Sequence, residues 1–296
     1  MIKVLIFGSN GQLGKTLIST LPRGINLKAY SKEECNFLNV DNCLKKLENF
    51  RPEFVINASA YTNVDKAEED FETVYQVNGY ALESITEYVN KNNGTFLHIS
   101  TDFVFNGKKS SAYKPDDKID PIGVYGKSKA LGEKYVLRMK QNIVIRTSWL
   151  YSPFGKNFMK TMLKLHKDFA HKNIPLRVVS DQIGCPTSTY SLSNFCWKFI
   201  LNSSYLDQES RIFHWSDFGV ASWYDFACSI GELGLYFELI DKMAETIPIK
   251  SSEFSTSAKR PNFSLLDISS STSLLDLRPL HWRKELFNIL YKMKFD

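Results

Sequence analysis

The chain has 296 residues, 43% of them hydrophobic, and carries 37 basic against 32 acidic side chains, a net charge of +5. That apolar content fills one large core or two unequal lobes and excludes a disordered or fibrous chain. The basic residues form no run long enough to follow a nucleic-acid backbone, and no apolar run approaches the roughly 18 residues of a bilayer span, so neither nucleic acid nor a membrane is an expected partner.

In chain order, Ile2 to Phe7 reads as an apolar strand, followed by a Gly/Ser/Asn turn and a helix over Gln12 to Leu21 that stops at Pro22. The pattern repeats as strand Asn26 to Tyr30, helix Asp41 to Phe50, strand Phe54 to Asn57, helix Phe71 to Asn90, strand Thr95 to Ser100, helix Lys127 to Lys140 and strand Asn142 to Thr147. Alternating β and α segments predict an α/β fold with a doubly wound, Rossmann-type parallel sheet over residues 1–150. Beyond Trp149 the rhythm changes to a helix over Asn157 to Phe169, a strand over Leu176 to Val179 and a helix over Tyr190 to Leu201. A serine-rich tail, Ser251 to Ser273, then precedes an amphipathic helix over Arg283 to Met293. Residues 151–296 are expected to form mainly a smaller substrate lobe, with the chain returning to the main sheet within about 174–215.

Met1 leads straight into the first strand, so neither a signal peptide nor an anchor is expected. Cys35, Cys43, Cys185, Cys196 and Cys228 are an odd number without a C-x-x-C pair, which fits a reducing cytoplasm and no disulfide framework. The five histidines lack ligand spacing, and no catalytic metal is expected.

Gly8-Ser9-Asn10-Gly11-Gln12-Leu13-Gly14 is a G-x-x-G-x-x-G turn between the first strand and the first helix. Small residues there let the backbone approach a pyrophosphate, and the helix start offers free N–H groups with a partial positive charge. The bland alternative is a tight βα connection and nothing more. The second strand runs into Tyr30-Ser31-Lys32-Glu33. Ser31 and Lys32 suit the 2′-phosphate of NADPH, while Glu33 or Glu34, were either the residue at the strand end, would favour the 2′-hydroxyl of NADH.

Tyr125 and Lys129 form a Tyr-x-x-x-Lys pair on one face of a helix start. Such a pair arises readily by chance among 14 tyrosines and 37 basic residues, so its position after the fourth strand carries the weight. A carbonyl that accepts a hydride also needs a proton, and a nearby ammonium is expected to bring a phenol's pKa of about 10 toward neutrality. Thr101 at the end of the fourth strand can hydrogen-bond the substrate carbonyl oxygen. Ala60, Tyr61 and Thr62, after the third strand, are expected along the cofactor.

On these residues the chain resembles the dTDP-4-dehydrorhamnose reductases, members of the extended short-chain dehydrogenase/reductases. Gly8 to Gly14, Val64-Asp65-Lys66-Ala67-Glu68, Ser100 to Phe105, Tyr125 to Lys129 and Arg146-Thr147-Ser148-Trp149 match in order and spacing. So do Asn157 to Met162, Asp181-Gln182-Ile183-Gly184-Cys185-Pro186-Thr187, Phe213-His214-Trp215-Ser216 and Arg260-Pro261. The resemblance implies Thr101, Tyr125 and Lys129 as catalytic. It also implies Asn36 and Phe37 at the cofactor beside the turn residues, and Asp102, Trp149, Asn157 and Arg260 at the substrate. It implies NADPH as cofactor with NADH also accepted, a nucleotide-sugar substrate, and a monomer or homodimer. Many relatives carry aspartate where Asn36 stands, and asparagine still hydrogen-bonds adenine. Phe103 replaces the glutamate that a sugar-nucleotide dehydratase uses as its base. Two alternatives stay open: reduction of another nucleotide 4-keto-6-deoxy-sugar, and a non-catalytic NADP-binding regulatory subunit. Trp149 has two readings, a substrate wall or a core residue joining the lobes.

Overall fold

The computed structural model describes residues 1–202 and 210–295. The first half alternates as the sequence predicts: β1 (Ile2–Phe7), α1 (Gln12–Ser19), β2 (Ile25–Tyr30), α2 (Val40–Phe50), β3 (Phe54–Asn57), α3 (Val64–Ala67), α4 (Phe71–Tyr75), a π-helical turn Gln76–Tyr80, α5 (Ala81–Lys91), β4 (Thr95–Thr101), α6 (Val124–Val136) and β5 (Ile143–Thr147). The second half contains β6 (Leu150–Tyr151), α7 (Phe158–Lys172), β7 (Leu176–Val179), β8 (Ile183–Gly184), β9 (Thr187–Ser188), α8 (Thr189–Leu201), β10 (Ile212–His214), β11 (Ala221–Ser222), α9 (Trp223–Tyr236), β12 (Thr246–Ile249), α10 (Ser269–Leu275) and α11 (Trp282–Phe295).

Six parallel strands form the main sheet in the order β10-β5-β4-β3-β1-β2. The runs Val4 to Phe7 and Phe54 to Asn57 are buried throughout, as a sheet covered on both faces requires. One face packs Leu13, Leu17, Leu192, Phe195 and Phe199 of α1 and α8, and the other packs Leu47, Leu82, Ile85 and Val89 of α2 and α5. A separate core joins α7, α9 and α11 through Met159, Leu163, Phe226, Ile230, Leu286 and Leu290.

The chain re-enters the main sheet through β10 beside β5, while β7 pairs with β12 in a separate two-stranded sheet. The elements differ from the sequence expectation in ways that matter. The segment read as one helix over Phe71 to Asn90 contains the π-helical turn. The helix expected at Lys127 starts at Val124, because Gly123 caps it and Glu68 Oε1 accepts the Val124 N–H at 2.8 Å, so Tyr125 sits inside its first turn. α10, Ser269–Leu275, begins inside the segment read as a serine-rich tail, Ser251 to Ser273, and the sequence reading assigns no element to α9.

β2 and β3 lie on opposite sides of β1, so the order reverses there. Ligands of open α/β sheets bind outside the carboxyl ends of the strands at such a reversal. The glycine turn after β1 and the Asn57-Ala58 segment after β3 flank it, with Phe7 and Asn57 in register.

Candidate active site

The glycine turn is built for close backbone approach. Gly8 has φ +87°, and a Cβ there would come within 2.8 Å of the Ala58 backbone. A Cβ on Gly14 would fall 2.1 Å from the Gly8 carbonyl oxygen, so α1 can meet the turn only with glycine at that position. Gly11 caps α1 without a side chain, leaving the first-turn N–H groups of Gln12 and Leu13 directed at the space an anion would take. Gln12 itself turns toward the second half of the chain, where its Oε1 accepts from Ser152 Oγ (3.0 Å) and Asn157 Nδ2 (2.8 Å).

At the end of β2, Ser31 is buried and Lys32 exposed. Glu33 is held below the usual carboxylate range, first by the Ser31 hydroxyl and also by Lys32 and Asn10. An acidic group therefore faces the turn beside the basic one. Asn36 Oδ1 accepts the Leu38 N–H. Phe37 is buried against Phe7 at 5.3 Å, so its ring is part of the core, and its backbone is what remains to meet a ligand. Tyr61 is pinned by Asn78, which accepts its N–H (2.8 Å) and donates to its carbonyl (3.1 Å), while Ala60 is half-buried and Thr62 exposed beside it. The Asn78 amide also donates to Ser128 Oγ at 3.0 Å.

Thr101, Tyr125 and Lys129 gather at the carboxyl end of β4. Tyr125 stands edge-on to Phe103 with ring centroids 5.8 Å apart. Lys129 is buried and donates to the Ile99 carbonyl at 2.7 Å, with His98 Nε2 3.1 Å away. Asn57 Nδ2 reaches His98 Nδ1 at 3.1 Å, and its Oδ1 accepts the Ser59 N–H, which fixes the amide's orientation. With Nδ1 accepting, the ring proton lies on Nε2, and Lys129 can take it only as a neutral amine. Burial pushes Lys129 down to about 7, in the same direction. This corrects one expectation, because burial instead pushes Tyr125 up to about 12, and the ammonium charge that would oppose it is weakened by the same burial.

The Thr101 hydroxyl donates to Asp102 Oδ1 at 3.1 Å and accepts the Phe103 N–H at 3.2 Å. Burial pushes Asp102 up to about 7 against the Ser264 and Thr101 hydroxyls, which favour the anion. One helical turn beyond Lys129, Glu133 takes a bidentate pair from Arg146 on β5, at 2.9 and 2.8 Å, and a bond from Ser100 at 2.5 Å. This buried brace ties α6 to β4 and β5.

The remaining expected residues have partners of their own. Trp149 has φ +46° and stacks on Trp223 at 3.6 Å, with Gly184 closing on its ring. Asn157 caps α7, accepting the Lys160 N–H, and donates to Gln12 and to the Ser152 carbonyl. Arg260 pairs with Asp65 at 2.7 Å. Sequence reasoning missed Asn78, His98 and Glu133. The available signal was glycine inside two helices: at Gly132 a Cβ would come 2.2 Å from the Asn78 carbonyl, and at Gly79 it would meet Leu131, so α6 and the π-helical turn cross closely.

A switch-point turn whose helix start has no side-chain cap, and a Thr-Tyr-Lys group at the end of β4, two strands from β1, define a Rossmann-type protein of the nicotinamide-dependent oxidoreductase class. The family model described as "RmlD substrate binding domain" matches residues 2–295. A dTDP-4-dehydrorhamnose reductase of Aggregatibacter actinomycetemcomitans is 36% identical over 98% of both chains. A solved dTDP-4-dehydrorhamnose reductase from Clostridium acetobutylicum has a TM-score of 0.89 at 31% identity, covering 99% of this chain and 100% of that one. Another, from Bacillus anthracis in complex with NADP, has a TM-score of 0.88 at 30% identity and the same coverage. The chain belongs to the dTDP-4-dehydrorhamnose reductase family.

Proposed function

We propose that this protein reduces the 4-keto group of dTDP-4-dehydro-L-rhamnose to give dTDP-L-rhamnose, using NADPH, in the supply of nucleotide sugars for cell-surface polysaccharide. The observation that carries this reading is the meeting of Thr101, Tyr125 and Lys129 at the carboxyl end of β4, the sheet edge that also carries the glycine turn, in a chain matched end to end by that family. Glycine at 8 and 14 lets the turn close tightly on the Ala58 segment and on α1, which leaves the start of α1 to meet a pyrophosphate with its backbone N–H groups. Ser31 and Lys32 would hold the adenosine end, Tyr61 and Thr62 the middle, and Lys129 the nicotinamide ribose. When bound, NADPH supplies the hydride.

The protein's own part is to hold the ketone and deliver a proton. Tyr125 gives its phenolic proton to the carbonyl oxygen, and the Thr101 hydroxyl hydrogen-bonds that oxygen as charge develops. Lys129, held by the Ile99 carbonyl and His98, would bind the nicotinamide ribose hydroxyls. Phe103 offers no base, so proton abstraction from the sugar ring is not part of the reaction. Residues 1–150 with the returning β10 strand serve as the cofactor lobe, and most of 151–296 as the substrate lobe, where Trp149 and Asp102 border the sugar. Asn157 and Arg260 act there through the segments they brace. A cytoplasmic monomer or homodimer is the working form; no helix of the described residues is long and apolar enough to cross a membrane.

The test is Tyr125→Phe. It should keep NADPH affinity and lose at least about a hundredfold in kcat, the scale of general acid catalysis. Near-normal turnover would remove Tyr125 from the chemistry.

A further inference from the structure

We propose that Asp102 is a positioning residue that works as a neutral carboxylic acid, donating its proton to Thr101 Oγ1 so that the Thr101 hydroxyl proton is free for the substrate carbonyl oxygen. This rests on the reductase reading above. A hydroxyl donates once and accepts twice. The Phe103 N–H already occupies one acceptor position on Thr101, at 3.2 Å. The Asp102 Oδ1 lies 3.1 Å away on another side.

An ionised Asp102 can only accept, so it takes the single Thr101 proton. Thr101 would then turn a lone pair toward the ketone oxygen, which repels it. A protonated Asp102 reverses the bond. Thr101 then accepts from Phe103 and Asp102, and its single proton, which the Tyr125 phenol also faces, is left for the ketone oxygen when substrate is seated.

Two further observations favour the neutral form. The other carboxyl oxygen, Oδ2, is buried outside hydrogen-bond distance of any partner, and the Ser264 hydroxyl and the Asp102 and Phe103 N–H groups that favour the anion do not outweigh the burial. The groups that face Asp102 also bring no positive charge to it. They are the Thr101 hydroxyl, the Ser264 hydroxyl and the Tyr125 phenol. Lys129, on the same helix as Tyr125, is engaged by Ile99 and His98, and Arg260 is paired with Asp65. An anion at Asp102 pushes the Tyr125 phenol further up, so a neutral Asp102 leaves a better proton donor as well as a freed Thr101 hydroxyl.

The experiment is the pH dependence of kcat/KM for wild type and Asp102→Asn. The amide keeps a donor toward Thr101 at every pH, so the ratio of variant to wild type should rise roughly 25-fold between pH 6.5 and 8.5, as Asp102 ionises only in the wild type. The ratio cancels any titration the two proteins share, Lys129 included. Ser264→Ala is the second variant. Removing a hydroxyl that favours the anion should move the alkaline limb of kcat/KM upward. A flat ratio together with an unmoved limb in Ser264→Ala overturns the proposal. Infrared difference spectra between wild type and Asp102→Asn, titrated without substrate, follow the protonated carboxyl directly. They separate a failure of this idea from a failure of the reductase reading, in which wild type shows no turnover at all.

Discussion

Arg146→Met tests the brace behind the site. The pair is almost fully buried, with Glu133 at 2% and Arg146 at 3% side-chain exposure. Arg146 supplies two of the three hydrogen bonds received by the Glu133 carboxylate, and Ser100 supplies the third. The substitution leaves that carboxylate in the interior with one hydroxyl for company. Breaking a buried pair from one side costs about 3–5 kcal/mol, because the remaining charge is uncompensated. At about 2 °C per kcal/mol for a chain this large, the melting temperature should fall by roughly 6–10 °C. The double variant Glu133→Leu/Arg146→Met removes the stranded charge and should recover most of that loss. Urea and thermal unfolding at pH 7 read both numbers. A cost under about 1 kcal/mol for the single variant, or a double variant that merely adds the two single costs, would refute the reasoning.

Three further predictions follow from the site. Trp149→Ala should lower stability by roughly 3–5 kcal/mol, since its ring is stacked on Trp223 and closed by Gly184. A drop in kcat/KM measured well below the variant's transition would add a substrate contact, and unaltered kinetics there would remove Trp149 from the substrate role. Lys129→Met should be stabilised most at or below pH 7, with the gain shrinking as pH rises toward 10. The sign follows from burial holding Lys129 near 7, so that between 7 and its ordinary value the unfolded chain binds the extra proton and wild-type stability climbs with pH. A difference that does not change with pH contradicts this. Glu33→Gln should raise the preference for NADPH over NADH, because the carboxylate held by Ser31 and Asn10 repels a 2′-phosphate. An unchanged ratio of kcat/KM for the two cofactors would place Glu33 away from the ribose.

The parts of the site that are legible in the sequence are those written locally. The glycine turn lies between a strand and a helix at fixed offsets, and Tyr125 and Lys129 share one helical turn, so spacing alone brings them together. The buried network is different. Asn57 and His98 are 41 residues apart and meet because β3 and β4 pair in a register that aligns them. Asn78 reaches Tyr61 and Ser128 from a π-helical turn that no apolar periodicity marks. Arg146 and Glu133 look like an ordinary strand end and helix face until β5 is placed beside β4. Phe37, expected at the cofactor, packs on Phe7 because burial of an aromatic ring outweighs its position after β2. The capping box formed by Ser222 and Asp225 is a local signal for α9, but it stands outside the alternating strand-and-helix rhythm of the first half.

The central claim is a reaction, and the direct measurement is product formation from freshly generated dTDP-4-dehydro-L-rhamnose with NADPH. The account predicts stoichiometric oxidation of NADPH and a single product identified by NMR as dTDP-L-rhamnose, with the rate lost in Tyr125→Phe while NADPH still binds. Tight NADPH binding with no consumption of this ketone, or reduction to the epimeric sugar, would contradict it.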